Sequence, residues 1–217
     1  MSKKMILIVG KTSTGKTSSL RNLPLEKTVY IDTDRKGIKS FRDMDKFKEW
    51  VKLDYVDHLI PGLEALEVDD ECEYVVLDTL SLAFDMFYTQ KISGAVDSRA
   101  QWSAYKDWFN KLIQFIKTSK KHYIILSHEK TTYNEEMMET STMAYAQGSV
   151  YSRIEENFAV VAYTQKFKKD DEIKYGFQVN PTKEHMNTSA KSPMGMFTEP
   201  LVEDNDVMIL FEAIDNY

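Results

Sequence analysis

The stretch that most restricts the fold is Met5-Ile6-Leu7-Ile8-Val9, followed at once by Gly10-Lys11-Thr12-Ser13-Thr14-Gly15-Lys16-Thr17. The apolar run reads as a buried strand, and the next eight residues fit the pattern G-x-x-x-x-G-K-[ST]. Strand, glycine-bounded loop and following helix together make a cradle for a phosphate chain. Gly15 permits the backbone to close around phosphate, and a helix expected over 15–22 would aim its free N–H groups at the anion. Lys16 adds a point charge for the β- and γ-phosphates, and Thr17 offers a hydroxyl to Mg²⁺. The nucleotide-contacting set is therefore Gly10, Lys11, Thr12, Ser13, Thr14, Gly15, Lys16, Thr17 and Ser18. No N/T-K-x-D segment for reading guanine is evident, so ATP with Mg²⁺ is the expected ligand.

The rest of the chain alternates short β-rich runs with longer helical patterns, the mark of a sheet built by crossover connections. Strands are expected over 5–10, 28–32, 74–78, 123–127, 158–166 and 174–180. Helices are expected over 15–22, 79–92 and 100–119. In the last, Trp102, Tyr105, Phe109, Leu112 and Phe115-Ile116 recur at spacings of three and four, which makes one apolar face for the core. The final two strands, joined across 168–172, read as an antiparallel hairpin added to the sheet edge. The expected fold is α/β, a mostly parallel central sheet flanked by helices with that hairpin near its C-terminal end.

Two further strands end in acid. Glu73-Tyr74-Val75-Val76-Leu77-Asp78 delivers Asp78 as the second anchor of a metal-bound triphosphate, through the magnesium water shell and beside Thr17. Asp78 could also cap the helix that follows it. Thr28-Val29-Tyr30-Ile31-Asp32-Thr33-Asp34 places Asp32 and Asp34 on one side of a strand end, where ligands collect in open α/β sheets. Asp34 is the expected water-activating carboxylate and Asp32 the alternative. His128, at the end of Tyr123-Ile124-Ile125-Leu126-Ser127, is placed to sense the γ-phosphate and signal to the following segment.

Composition excludes other classes. The 217 residues are 42% hydrophobic, enough for one globular domain with a core of its own. The single cysteine, Cys72, cannot form an internal disulfide, and the four histidines are scattered, so a structural zinc site is not expected. No apolar run approaches the length of a membrane span, and a cytoplasmic location without membrane contact follows. The net charge of −6 argues against a polycation that coats nucleic acid. Charge is uneven: residues 1–25 carry five Lys/Arg and no acid, and residues 196–217 carry six Asp/Glu and no base. This is ordinary surface variation, or else an acidic tail that meets a basic surface on its own chain or a protein partner.

The order of these motifs resembles the RecA-type ATPase core, in particular the small phage-encoded RecA-like ATPases of single-strand annealing and recombination. Residues 1–195 would form that core and 196–217 the acidic tail. Tyr30-Ile31-Asp32-Thr33-Asp34 resembles the family segment that ends in the catalytic carboxylate, with Asp34 in that place. Val75-Val76-Leu77-Asp78-Thr79-Leu80 resembles the Walker B strand. Ile125-Leu126-Ser127-His128 resembles the sensor strand, where RecA itself has glutamine. The resemblance makes 130–147 a mobile DNA-binding loop and 148–153 a return through Arg153. That loop carries a single lysine against Glu135, Glu136 and Glu139, so contact with single-stranded DNA would run through stacking on Tyr133 and Tyr145. Lys183 and Lys191 resemble lysines that the family offers to a neighbouring subunit's site, which implies a homo-oligomer. The first strand opens the chain, so the arm through which RecA polymerises has no expected counterpart. Other surfaces, the acidic tail among them, would have to serve.

Three other readings stay open. Lys11 stands where partition-type ATPases of the ParA and MinD kind place their signature lysine, though their usual glycines are replaced by Thr12 and Ser13. A nucleoside or nucleotide kinase would want an arginine-rich lid, and Arg21, Arg35, Arg42, Arg99 and Arg153 are dispersed. A nucleotide-gated scaffold would use the acidic tail to recruit a partner without touching DNA.

Overall fold

The computed structural model of the protein describes residues 3–35, 39–135, 138–148, 153–183 and 186–217. Its strands are β1 (Met5–Gly10), β2 (Thr28–Asp32), β3 (Glu49–Lys52), β4 (Tyr74–Asp78), β5 (His122–Asn134), β6 (Glu139–Ala144), β7 (Val160–Lys169), β8 (Glu172–Gln178) and β9 (Leu201–Val202). Four α-helices accompany them among the described residues: α1 (Leu59–Leu66), α2 (Leu80–Phe87), α3 (Arg99–Thr118) and α4 (Val207–Asn216). The sheet runs β3-β2-β4-β5-β1-β7-β8-β9, with β6 paired to the outer half of β5. Strands β3 to β7 along that path are parallel, and the β7–β8 hairpin and β9 are antiparallel. This is the expected α/β architecture with its hairpin at the sheet edge.

The apolar runs follow from burial on both sides. Leu7, Val9, Val29, Ile31, Val75, Leu77 and Ile125 pack with α1, α2 and α3 on one face. Their alternates Ile6, Ile8, Tyr30, Val76, Ile124 and Leu126 pack on the other with Leu20, Leu23 and, from α4, Val207, Leu210 and Phe211. The expected stripe of α3 is a core face: Tyr105, Phe109, Leu112 and Ile116 are buried, with Trp108 and Ile113 beside them. Two elements had misleading local sequence. β3 is a short, half-exposed strand with a charge at each end. α1 contains Pro61-Gly62, which reads as a turn, yet Pro61 falls in its first turn, where no N–H is needed.

The expected helix over 15–22 is instead a four-residue 3-10 turn, Thr17–Leu20. Its hydroxyls compete for the backbone: Ser18 Oγ donates to Gly15 O at 3.1 Å and Ser19 Oγ to Lys16 O at 2.6 Å. Pro24 blocks continuation. The loop expected over 130–147 is largely a second correction. β5 runs on past the sheet and pairs with β6 as an antiparallel arm, with Thr131 opposite Thr142 and their hydroxyls 3.2 Å apart. The β-branched threonines on both strands favour that ladder over a loop.

Residues 201–217 lie against the core. Asp206 caps α4, accepting from Met208 N at 3.0 Å, and Val207, Leu210 and Phe211 are buried. Lys4 pairs with Asp215, and Arg21 with Asp204 at 2.7 Å, so acidic residues of this segment meet basic ones from the N-terminal stretch. No helix among the described residues is long and apolar enough to cross a membrane.

Candidate nucleotide site

The parallel strands β2, β4 and β1 end side by side, and β5 passes between β4 and β1 into the arm. Register neighbours there are Asp32 with Asp78, Asp78 with Leu126, and Gly10 with His128. A cavity of about 450 Å³ opens at these ends, lined by Thr12, Ser13, Gly15, Lys16, Thr17, Ser18, Asp34, Ser40, Asp78, Thr79, His128 and Tyr175. Carboxyl ends of parallel strands are where ligands bind in open α/β sheets.

The loop is held by close contacts that explain its glycines. A Cβ on Gly10 would fall 1.9 Å from Thr164 Oγ1, and Thr14 Oγ1 lies 2.5 Å from the same hydroxyl. Gly15 has φ +95°, and a Cβ there would meet Asn205 Nδ2 at 2.3 Å. Asn205 donates to Gly15 O at 2.9 Å, while Arg21 donates to Asn205 O at 3.1 Å. The segment after β9 thus braces the phosphate loop from behind. Nothing in the local sequence marks Asn205, which stands 190 residues away from Gly15.

Lys16 is buried and its Nζ donates to Gly10 O and Lys11 O, both at 2.7 Å. Buried ammonium charge at the centre of an N–H-rich loop is suited to a phosphate chain. Thr17 Oγ1 donates to Asp78 Oδ2 at 2.7 Å, and the Tyr30 hydroxyl donates to the same oxygen at 2.6 Å. Burial pushes the Asp78 carboxyl above its ordinary value, against the Tyr30 and Thr17 hydrogen bonds and the Lys16 charge. Burial also pushes the Tyr30 phenol up, aided by the Asp78 charge, so it remains a donor. Thr79 caps α2, accepting from Leu82 N, and is itself fixed by Thr33, whose Oγ1 accepts from Thr79 N at 2.7 Å. Helix capping therefore falls to Thr79 and leaves Asp78 facing the loop.

Magnesium fits this donor set. The hydroxyl of Thr17 and the carboxylate of Asp78 stand together beside Lys16, and magnesium takes its remaining ligands from phosphate oxygens and water. A cage of three or more His, Cys, Asp or Glu is not needed, and none occurs among the described residues.

The expectation that Asp32 and Asp34 share one side is corrected. β2 ends at Asp32, whose Oδ1 accepts from Asp34 N at 3.0 Å and Arg35 N at 2.8 Å, and whose Oδ2 accepts from Trp50 Nε1 at 3.1 Å. That side chain closes the strand into a turn. Only Asp34 lines the cavity.

His128 lines the cavity, and its backbone is fixed from two sides: its N–H donates to Ser81 Oγ at 3.1 Å, and its carbonyl accepts from Tyr145 N at 2.8 Å. Lys11 points outward, 74% exposed, with Nζ 3.8 Å from Glu129 at the root of the β5–β6 arm. On that arm Tyr133 is 61% exposed. Tyr145 is partly buried, and its hydroxyl donates to Asp85 Oδ1 at 3.0 Å, an atom to which Gln147 Nε2 donates at 2.8 Å. Lys183 is exposed and Lys191 partly buried, and neither lines the cavity of its own chain. Val161 and Lys191 exchange backbone hydrogen bonds at 2.9 and 3.1 Å, which fixes Lys191 against β7. Arg153 is exposed, and 149–152 of the expected return segment lie outside the described residues. Tyr30, Tyr175 and Asn205 are site residues that motif reading did not single out.

No curated protein matches the sequence. Among solved structures, the chain is similar to a KaiC-like protein from the hyperthermophilic archaeon Pyrococcus horikoshii OT3, at 15% identity and a TM-score of 0.52. That match covers 92% of this chain and 88% of the other and bears on the fold. The phosphate loop on that fold makes the protein a P-loop NTPase of RecA-like architecture. A family model described as an AAA domain matches residues 2–194, and the chain belongs to that family.

Proposed function

We propose that the protein is a Mg²⁺-dependent ATPase of RecA-like type. The observation that carries this reading is the convergence of Lys16 and Thr17, in the loop after β1, with Asp78 at the end of β4 one strand beyond β5, Thr17 Oγ1 standing on Asp78 Oδ2 at 2.7 Å. Lys16 would exchange its two carbonyl partners for β- and γ-phosphate oxygens. Thr17 and Asp78 would hold magnesium, which when bound neutralises charge on the transferring phosphoryl group. Asp34 would orient and deprotonate the attacking water, and His128 would contact the γ-phosphate. Tyr30 keeps the Asp78 carboxylate in place.

DNA recombination or annealing on single strands is the wider role supported by the resemblance to phage RecA-like ATPases. The exposed Tyr133 on the β5–β6 arm supports it as a stacking group. A homo-oligomer would let Lys183 or Lys191 reach a neighbour's γ-phosphate. Partition-type chemistry would instead use Lys11, whose outward position beside Glu129 supports a signal between loop and arm.

Phosphate release measured with and without single-stranded DNA tests the reading. Lys16→Ala should lose turnover at least 100-fold, the scale of removing a charge that stabilises the transition state. Asp34→Asn should bind ATP and fail to hydrolyse it. Undiminished turnover in Lys16→Ala would refute the site, and phosphate transfer to a nucleoside would replace the ATPase reading with a kinase. Turnover indifferent to DNA would remove the recombination role, and a monomer with ATP and DNA present would remove the trans lysines.

A further inference from the structure

Beside the phosphate cavity lies a second cleft of about 550 Å³, between the tip of the β7–β8 hairpin and the segment that follows β9. Phe167, Ile173, Tyr175, Glu203, Asp204 and Asn205 are among its lining residues. Tyr175 lines both spaces. Its Cδ1 stands 3.4 Å from the point where a Gly15 Cβ would lie, so the ring abuts the phosphate loop. The ring is 39% exposed, and Lys166 Nζ covers one face at 5.6 Å from the centroid. The side chain borders both cavities.

Two features fix this cleft relative to the loop. A Cβ on Gly176 would lie 2.3 Å from Val202 O, so only glycine lets the strand and the 202–203 backbone approach so closely. Asn205, in the cleft wall, donates to Gly15 O. β9 pairs only with Phe177 and Gln178, which leaves the 173–175 edge of β8 facing the cleft.

We propose that this cleft holds the nucleoside end of the bound triphosphate, with the nucleobase stacked on Tyr175. The inference rests on the ATPase reading and extends it from the phosphates to the base and ribose. A cleft of this size accommodates a nucleoside. Glu203 pairs with Lys169, and Asp204 with Arg21 at 2.7 Å, so the acceptors beside the ring are held in place for ribose hydroxyls or an exocyclic amine. The segment after β9 then serves the nucleotide site directly.

Equilibrium binding of MgATP and of magnesium tripolyphosphate, which has no base, tests the proposal. Tyr175→Ala should weaken ATP binding about 5- to 100-fold, the range that base–aromatic stacking supports, and leave tripolyphosphate binding unchanged. Tyr175→Phe should keep the wild-type affinity for both. Equal ATP affinity in wild type and Tyr175→Ala would overturn the inference, provided that Lys16→Ala loses both ligands. A parallel loss of tripolyphosphate binding in Tyr175→Ala would overturn it too, because the tyrosine would then only shape the loop. Loss in Tyr175→Phe equal to that in Tyr175→Ala would assign the effect to the hydroxyl and refute stacking. Retention of both ligands by Lys16→Ala would sink the ATPase reading itself, and this inference with it.

Discussion

The Tyr30 hydroxyl and Thr17 Oγ1 donate to one and the same oxygen, Asp78 Oδ2, at 2.6 and 2.7 Å. A carboxylate buried at a strand end loses hydration and recovers part of it from these donors. Thr17 joins this oxygen to the phosphate loop, and Tyr30 joins it to the neighbouring strand β2. Loop, metal anchor and sheet are thereby set in one geometry before any ligand arrives.

Tyr30→Phe removes one of those donors while keeping the ring that stacks on Phe47 at 5.0 Å. Stability should fall by about 1–2 kcal/mol, the scale of a lost hydrogen bond to a charged group. The magnesium concentration for half-maximal turnover should rise, because the carboxyl then holds its proton more tightly. Denaturant melts and a magnesium titration of turnover check the two halves. An unchanged magnesium requirement would show that Thr17 alone orients Asp78.

The raised Asp78 value carries a sign for stability. A carboxyl whose folded value lies above the unfolded one favours the fold in its neutral form. Its contribution is fully present below the ordinary value of 3.8 and is lost as pH rises through the raised folded value. Asp78→Asn should therefore melt a few degrees higher than wild type at neutral pH without ligand. The gap should close as the pH is lowered through the carboxyl's titration. MgATP should reverse the order, since only the carboxylate anchors the metal. Thermal melts across pH, with and without MgATP, read this directly.

Asn205→Ala removes the brace on Gly15 O and a partner of Arg21. ATP binding should weaken about 2- to 10-fold, as expected for one hydrogen bond. Asp206→Ala, which deletes the α4 cap and the Asn22 partner, should lower stability by about 1 kcal/mol. If Asp206→Ala lowered ATP affinity as much as Asn205→Ala, the effect would belong to the docking of α4 and not to the loop brace.

Tyr133→Ala on the arm should leave ATPase activity without DNA unchanged and reduce any stimulation by single-stranded DNA several-fold. Tyr133 is exposed, and surface substitutions away from special features change stability little. Full stimulation in this variant would remove the arm tyrosine from the DNA surface.

The phosphate loop, the runs of β1, β4 and β5, and the helical stripe of α3 were legible because each obeys a local rule. A buried parallel strand is apolar at every position, a core helix repeats its apolar residues at three and four, and phosphate binding needs glycine, lysine and hydroxyl at set spacing. Asp78 followed from its place at a strand end, whereas His128, expected at one, lies inside β5 at its last pair with β1, where the arm begins. The β5–β6 arm was hidden because its threonines are polar and its ladder lies beyond the core, where no apolar pattern marks it. The shortened turn after the loop came from Ser18 and Ser19 bonding to backbone carbonyls, a competition that the motif does not encode.

The sequence by itself determined that strand and phosphate loop occur together and which side chains stand at the ends of the strands. Tertiary structure decided which of those side chains meet. It turned Asp32 into a turn closure and left Asp34 on the cavity, because Asp34 lies two residues beyond Asp32, the strand's last ladder pair. It brought Tyr30 to Asp78, Tyr175 beside Gly15, and Asn205 to the back of the loop. Such contacts depend on strand order and on the close approach that Gly10, Gly15 and Gly176 permit. Strand order is settled by the packing of both sheet faces, which no local stretch of sequence contains.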